Sequence, residues 1–296
     1  MQYALLKDAR YFQLCFQAIF LSFGVMYLHW SADWMIYATY FCTSIFTQVL
    51  LEWLFNPSHV ERLSTNWFTQ LKKGLPSAFI SSFGLTLLLK THEIPVAMLA
   101  AFISIASKYI LRFNGKHIFN PSALGIVLSI ILTHKAWVST AQWGSGMVIF
   151  FGAICLGCIV VTRVQQLDVS IAFLASFGGL LFARQVLYLG WPIDFFIQSI
   201  STGSVLLFSF FMISDPKTTP NHPTARILWA ITIGGIAFYL TTFHFINNAP
   251  IWVLVCSQPL VPLLDYVFKA QRFQWHQPVR VASKNINTIN YQPHQF

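Results

Sequence analysis

The chain has 296 residues, of which 56% are hydrophobic, 17% aromatic and only 9% charged. A soluble domain carries about 25% charged residues, so an ordinary globular enzyme and a disordered chain are both excluded. The formal charge of +9 does not mark a nucleic-acid binder, because the basic residues sit in short links between apolar runs; no nucleic-acid partner is expected.

Apolar runs of about 20 residues recur along the chain, the length that crosses a bilayer as a helix. Ten spans are predicted, at 11–30, 34–55, 75–89, 94–112, 120–134, 145–162, 169–189, 194–213, 227–245 and 250–268. With both termini in the cytoplasm, every Lys and Arg except Lys90, Lys135 and Arg184 falls on the inner side. That asymmetry is what the positive-inside rule demands, and it supports an even span count. The first span follows Lys7 and Arg10, lacks a small-residue cleavage site and is followed by a second span, so it reads as an uncleaved anchor.

The fold class is therefore an all-α polytopic membrane protein, with the lipid bilayer as its first partner. Residues 1–55 hold the first two helices. Residues 56–73 are too polar to span, and Val60, Leu63, Trp67 and Leu71 recur at helical spacing, which predicts an amphipathic helix on the cytoplasmic face. Residues 74–268 form the remaining bundle, and 269–296 a polar cytoplasmic tail. The five cysteines lie in apolar spans, against a disulfide framework.

The third span is short and interrupted by Pro76 and Gly84, and the fifth opens at Asn120-Pro121. Short or broken spans are where transporters place binding sites. Two faint echoes run through the chain. The run from His117 through Pro121 into the fifth span resembles the run from His244 through Pro250 into the tenth. Thr91-His92-Glu93-Ile94-Pro95 resembles Pro220-Asn221-His222-Pro223. They predict two five-span units, and five being odd, the second unit is inverted in the membrane.

Two polar links lie on the same predicted face, 114–121 and 215–220. Together they offer Lys116, His117, Asn120, Ser122, Asp215, Lys217 and Thr218. Asp215 precedes a proline, which ends the span, and the next helix start with Lys217 is suited to an anion. This set can bind a phosphate or a flavin headgroup, or dock a cytoplasmic partner; the plainer alternative is a pair of capped turns. Trp137 and Trp143, in the outer loop 134–146, can stack on a planar ligand or belong to the interfacial aromatic belt. Cys155 and Cys158 share a helix face and can supply half of an iron–sulfur site or simply pack. Arg184, Asp265 and Glu52 are ionisable groups in or near spans, hence candidates for an ion pathway or for helix–helix bonding. No phosphate-binding loop, zinc signature or nucleophile elbow is present.

Three stretches carry a family resemblance: Phe119-Asn120-Pro121-Ser122-Ala123-Leu124-Gly125, Phe211-Met212-Ile213-Ser214-Asp215-Pro216 and Pro262-Leu263-Leu264-Asp265. In order, spacing and ten-span context the chain resembles one family of membrane subunits. That family includes the D component of the Rnf electron-transport complex and the B component of the sodium-pumping NADH:quinone oxidoreductase. The resemblance covers most of residues 75–268. It implies a subunit of an electron-transport or ion-coupled redox complex in a bacterial inner membrane, with further membrane or cytoplasmic subunits as partners. It makes the chain at most an electron-relay subunit of an oxidoreductase.

Members of that family carry flavin mononucleotide on the threonine of a Ser-Gly-Ala-Thr motif. The loop 134–146 here has none, and its Ala136-Trp137-Val138-Ser139 and Gln142-Trp143-Gly144 resemble a divergent branch with members in enediyne biosynthesis clusters. The cofactor left open by the resemblance is a non-covalent flavin mononucleotide or riboflavin, or none. Two other readings stand beside it: a small-solute channel or transporter, and a membrane scaffold for a biosynthetic assembly that has lost the flavin site.

Overall fold

The computed structural model describes residues 9–26, 29–30, 32–55, 65–139 and 166–270. Helices α1 (Ala9–Met26), α2 (Trp34–Phe55) and α3 (Thr65–Leu88) open the chain. Strand β1 (Leu89–Thr91), α4 (Ile94–Ile110), β2 (Arg112–Phe113), β3 (Lys116–His117), α5 (Pro121–Thr133) and β4 (Ala136–Val138) follow. After residue 166 come α6 (Leu167–Phe182), α7 (Ile193–Ile200), α8 (Gly203–Leu207), α9 (Pro223–Phe243), α10 (Ala249–Ser257) and α11 (Val261–Val267). Two helices end in π-helical turns, α6 over Ala183–Tyr188 and α8 over Phe208–Met212.

The bundle is mostly helical, and four helices are long and apolar enough to cross a membrane: Trp34–Phe55, Leu167–Tyr188, Pro223–Phe243 and Ala249–Val267. The pair Ile193–Ile200 and Gly203–Met212 is bent by 52° and makes a fifth as a broken span. Gly74–Leu88, Ile94–Ile110 and Pro121–Thr133 are shorter apolar helices. Helix therefore occupies each predicted segment except 145–162, which lies outside the described residues. The helix α3 runs unbroken through Pro76, joining the polar stretch from Thr65 to the apolar run.

Two short antiparallel ribbons mark opposite ends of the bundle. At one end β1 pairs with β4, Lys90 opposite Trp137. At the other β2 pairs with β3. There Asn114 and Gly115 have φ of 50° and 75°, the pair of left-handed residues that a two-residue hairpin turn requires.

Small residues set the helix spacing. A Cβ on Gly125 would lie 2.7 Å from the Ala100 carbonyl oxygen and 2.0 Å from Ser104 Oγ, so α4 and α5 are in backbone contact. Gly234 does the same between α9 and α6, against Ser176 and the Phe177 amide. In lipid, where apolar burial gives helices no net attraction, such close approach is the main source of packing energy. Buried hydroxyls fold back onto their own helices, Ser82 to the Ala78 carbonyl and Thr86 to the Ser82 carbonyl, so neither is left for the lipid to solvate.

Gly125→Ala should therefore destabilise the bundle by about 1–3 kcal/mol through overpacking. Gly235→Ala, whose Cβ would meet nothing within 4 Å, should be neutral or slightly stabilising. Thermal melting of both variants in detergent checks the contrast.

Candidate functional site

A cavity of about 390 Å³ opens at the β2–β3 end of the bundle. Its wall is drawn from α1 through α5 and from the 207–217 stretch. Many of the polar side chains come from pairs four residues apart: Gln13 and Gln17 on α1, Gln48 and Glu52 on α2, Ser77 and Ser81 on α3, with Lys108 near the end of α4 and Arg112 just beyond it on β2. Residues at that spacing share a helix face. Ile80, Leu207, Phe210 and Phe211 complete the wall with apolar surface.

Glycines admit two of these polar contacts. A Cβ on Gly74 would sit 2.6 Å from Gln48 Nε2, and one on Gly84 2.6 Å from Ser122 Oγ. Gln48 donates to Tyr109 Oη at 2.5 Å, and Tyr109 donates to Glu52 Oε2 at 2.5 Å. Lys108, only 4% exposed, donates to the carbonyl and the hydroxyl of Ser77 at 2.8 and 3.1 Å.

Asn120 joins the two halves of the wall. Its side-chain oxygen caps α5, accepting from Ala123 N at 3.1 Å, while its Nδ2 donates to the Met212 carbonyl at 3.3 Å. Its backbone N–H donates to Gln258 Oε1 at 3.0 Å. The π-turn that closes α8 presents the Met212 carbonyl to this amide.

Asp215 accepts from the Lys217 backbone N–H at 3.0 Å. Burial pushes its carboxyl above the usual range, and that N–H with the Lys108, Lys217 and Lys116 charges pulls it partly back. Burial also lowers the Lys217 ammonium, opposed by Asp215. His117 is held down to about 3, first by burial and then by the charges of Arg112, Lys108 and Lys217. Its imidazole is neutral at physiological pH, and its buried Nδ1 has no partner among the described residues.

The structure thus brings together His117, Asn120, Ser122, Asp215, Lys217 and Glu52 from the predicted set. Three others serve as ties. Thr218 is fully buried and donates to the Asp215 carbonyl. Lys116 bonds the Thr219 carbonyl, and also Asn221 Oδ1 at 3.3 Å and Asp265 Oδ2 at 2.9 Å. Asp265 Oδ1 accepts from the Asn221 N–H at 2.7 Å.

Trp137 and Arg184 lie at the far end. Trp137 packs its ring against His92 at 5.3 Å, and Arg184 stacks over the Phe243 ring at 4.5 Å. That corner is tied to β4 by Asn248, which donates to the Val138 carbonyl. Trp137 therefore cannot share a ligand with the 114–121 and 215–220 links. Trp143, Cys155 and Cys158 lie outside the described residues. Sequence reasoning missed Lys108, Tyr109, Gln17 and Gln48; for Gln17, Gln48 and Lys108 the polar i, i+4 spacing to Gln13, Glu52 and Arg112 was the available signal, and Tyr109 had none.

Two outcomes follow from this geometry. Asn120→Ala should cost about 1–3 kcal/mol, from the lost cap and the unsatisfied Met212 carbonyl. Asn120→Ser, which keeps a capping oxygen and loses the Nδ2 donor, should cost less in the same melting assay. Because His117 falls from 6.5 to about 3 on folding, the unfolded chain takes up its proton first as pH drops. The stability that His117 supports is complete above pH 6.5 and is lost progressively toward pH 3. His117→Gln should flatten the acid limb of the melting-temperature profile relative to wild type.

Comparison with known proteins agrees with the apolar architecture. Residues 144–274 match the NQR2, RnfD, RnfE family; this stretch includes the Ser214-Asp215-Pro216 and Leu263-Leu264-Asp265 motifs and not Asn120-Pro121. The D component of an ion-translocating oxidoreductase complex from Buchnera aphidicola is 24% identical over 149 residues, 49% of this chain and 41% of that protein. Proteins of the same name from Shewanella amazonensis and Stutzerimonas stutzeri are 25% identical over 75 residues and 27% over 74, covering 25% of this chain in each case and 22% and 21% of those proteins. The chain thus matches less than half the length of these relatives. The family match and these relatives show a likeness to the NQR2, RnfD, RnfE family over part of the chain, chiefly residues 144–274.

Proposed function

We propose that this protein is the integral membrane subunit of an ion-translocating redox complex, and that the cavity at its β2–β3 end holds a non-covalent flavin as an electron relay. The observation that carries the flavin reading is the cavity's composition. An apolar floor of Ile80, Leu207, Phe210 and Phe211 is ringed by polar ends. Gln17 Oε1, Gln48 Oε1 and His117 Nδ1 are buried there without partners among the described residues. A planar, apolar ring system with N–H groups and carbonyls at its edge suits such a wall, since buried acceptors left unpaired are costly. When bound, the flavin would supply reversible one- and two-electron transfer. The chain's own residues would hold it, Asn120 and Ser122 at one edge and Gln48 with Tyr109 at another, and keep bulk water out.

The same reading includes ten spans as two inverted units of five, in a bacterial inner membrane with both termini cytoplasmic. Equivalent packing supports the repeat: among the described residues α2 on α4 and α6 on α9 are the two most extensive helix contacts, and α5 follows α4 as α10 follows α9. The antiparallel α5 and α10 also exchange bonds at their starts, Asn120 to Gln258 and Asn248 to Val138. The clustering of Arg10, Lys108, Arg112, Lys116 and Lys217 at the β2–β3 end supports its cytoplasmic assignment.

Purified protein should show a flavin absorption spectrum, and acid precipitation should release the yellow colour to the supernatant. Ser122→Phe, which fills the cavity, should strip the flavin, whereas Trp137→Ala at the far end should not. A colourless, metal-free wild type overturns the relay and favours a solute-conducting bundle or a scaffold.

A further inference from the structure

The far end of the bundle carries a second cleft, of about 610 Å³, between the start of α2 and the β1–β4 ribbon. The indole rings of Trp34 and Trp137 border it, 66% and 48% exposed, and Asp33 and Lys90 line it. Asp33 caps α2, its Oδ1 accepting from the Met35 and Ile36 N–H groups at 3.1 and 3.2 Å; Oδ2 remains an open acceptor. Lys90 donates to Tyr37 Oη at 2.9 Å, its nitrogen 5.0 Å above that ring, and keeps at least one further donor. Neither Asp33 nor Lys90 forms an ion pair with the other or with any other described residue. Their charges still act on each other: burial lowers the Lys90 ammonium from its ordinary value, and Asp33 opposes that. An acceptor and a donor of opposite sign, held apart in one cleft, are complementary to a ligand that carries both signs a short distance apart. From the cleft an exposed stripe runs along α2 through Met35, Ala38, Cys42 and Phe46, residues three and four apart and so on one helix face. Ala38 and Cys42 are small, which makes the stripe a shallow apolar track.

We propose that this cleft is a receptor for a phospholipid whose headgroup carries an ammonium on its phosphodiester, as phosphatidylethanolamine does, with an acyl chain along the Met35–Phe46 track. The ammonium meets Asp33 Oδ2 and the face of an indole ring, where a cation is attracted by the ring quadrupole. A phosphodiester oxygen accepts from Lys90 Nζ, and its charge opposes the effect of burial on that group. The apolar track leading out of a polar cleft favours a lipid over a free zwitterion in solution, since the track would otherwise have no counterpart in the ligand. The site lies at the opposite end of the bundle from the flavin cavity and does not depend on that reading.

The test is a native mass spectrometry titration of the detergent-purified full chain. The probes are phosphatidylethanolamine, phosphatidylglycerol and the chain-free headgroup glycerophosphoethanolamine. Wild type should hold phosphatidylethanolamine about fivefold more tightly than phosphatidylglycerol, which has the phosphodiester and no ammonium. Asparagine accepts the same capping bonds, so Asp33→Asn should keep the fold and the phosphatidylglycerol affinity and lose the preference. Lys90→Met should weaken both lipids about threefold. Glu93→Gln removes an acid at the same end that is already paired with Lys135, and should leave the preference intact. Equal affinity of wild type for the two lipids, or a preference that survives Asp33→Asn, overturns the site. A preference lost as fully in Glu93→Gln is a property of the surface charge and overturns it as well. Glycerophosphoethanolamine bound as tightly as the lipid overturns the lipid as occupant, because the track along α2 then contributes nothing.

Discussion

Asn120 stands where the two halves of the bundle meet, and one side chain there satisfies groups that would otherwise face hydrocarbon. Its oxygen takes the Ala123 N–H at the open end of α5, and its nitrogen serves the Met212 carbonyl at the end of α8. Its own N–H is taken by Gln258, beyond α10. A helix end inside a bilayer leaves up to four backbone groups unpaired, each costing several kcal/mol in lipid. The short helix α5 can therefore begin inside the bundle because Asn120 and Pro121 close its start. Pro121 supplies the remaining economy, since it has no N–H to satisfy.

The cavity is a consequence of that arrangement. Two helix ends that stop beside each other, α5 at Asn120 and α8 at its π-turn, leave room that continuous helices would fill. Polar residues on the neighbouring helices turn toward the gap, because there they avoid lipid. Lys108 shows the logic: it would be prohibitively exposed on the lipid face of α4, and on the inner face it reaches Ser77 of α3. The neutral His117 fits the same setting, since burial first and then the three cations around it make protonation unfavourable.

The apolar helices of the described segments were legible in the sequence because hydropathy and length are local properties, and so were the helix breaks at Asn120-Pro121 and Asp215-Pro216. The cavity was much less so. Lys108 reads as an orienting charge at a span end, and nothing in its neighbours announces Ser77, which lies 31 residues away. Gln17 and Gln48 are single polar residues in apolar runs, and their meaning appears only when five helices are brought together. Thr218 and Lys116 were misleading in the other direction. Both belong to polar links, yet Thr218 caps the link's own turn and Lys116 turns away to Asp265. Trp137 is chemically apt for a planar ligand, but alternation on β4 and pairing with Lys90 place it at the opposite end.

The Lys116–Asp265 pair links architecture to site without touching the cavity. Asp265 holds Lys116 with one oxygen and the Asn221 N–H with the other, so the hairpin, the 215–222 link and α11 are fastened at one point. The pair is mostly shielded, its side chains 15% and 17% exposed. For such a pair the net contribution to stability is small, and the cost of removing one partner is large. Its effect is therefore one of register. With Lys116 anchored, the adjacent His117 is directed to the opposite side of the strand, into the cavity, because successive side chains on a strand alternate. Asn120 then follows within one short turn. The Leu263-Leu264-Asp265 motif accordingly positions residues that it never meets, and binding chemistry at the cavity can vary while that fastening stays the same.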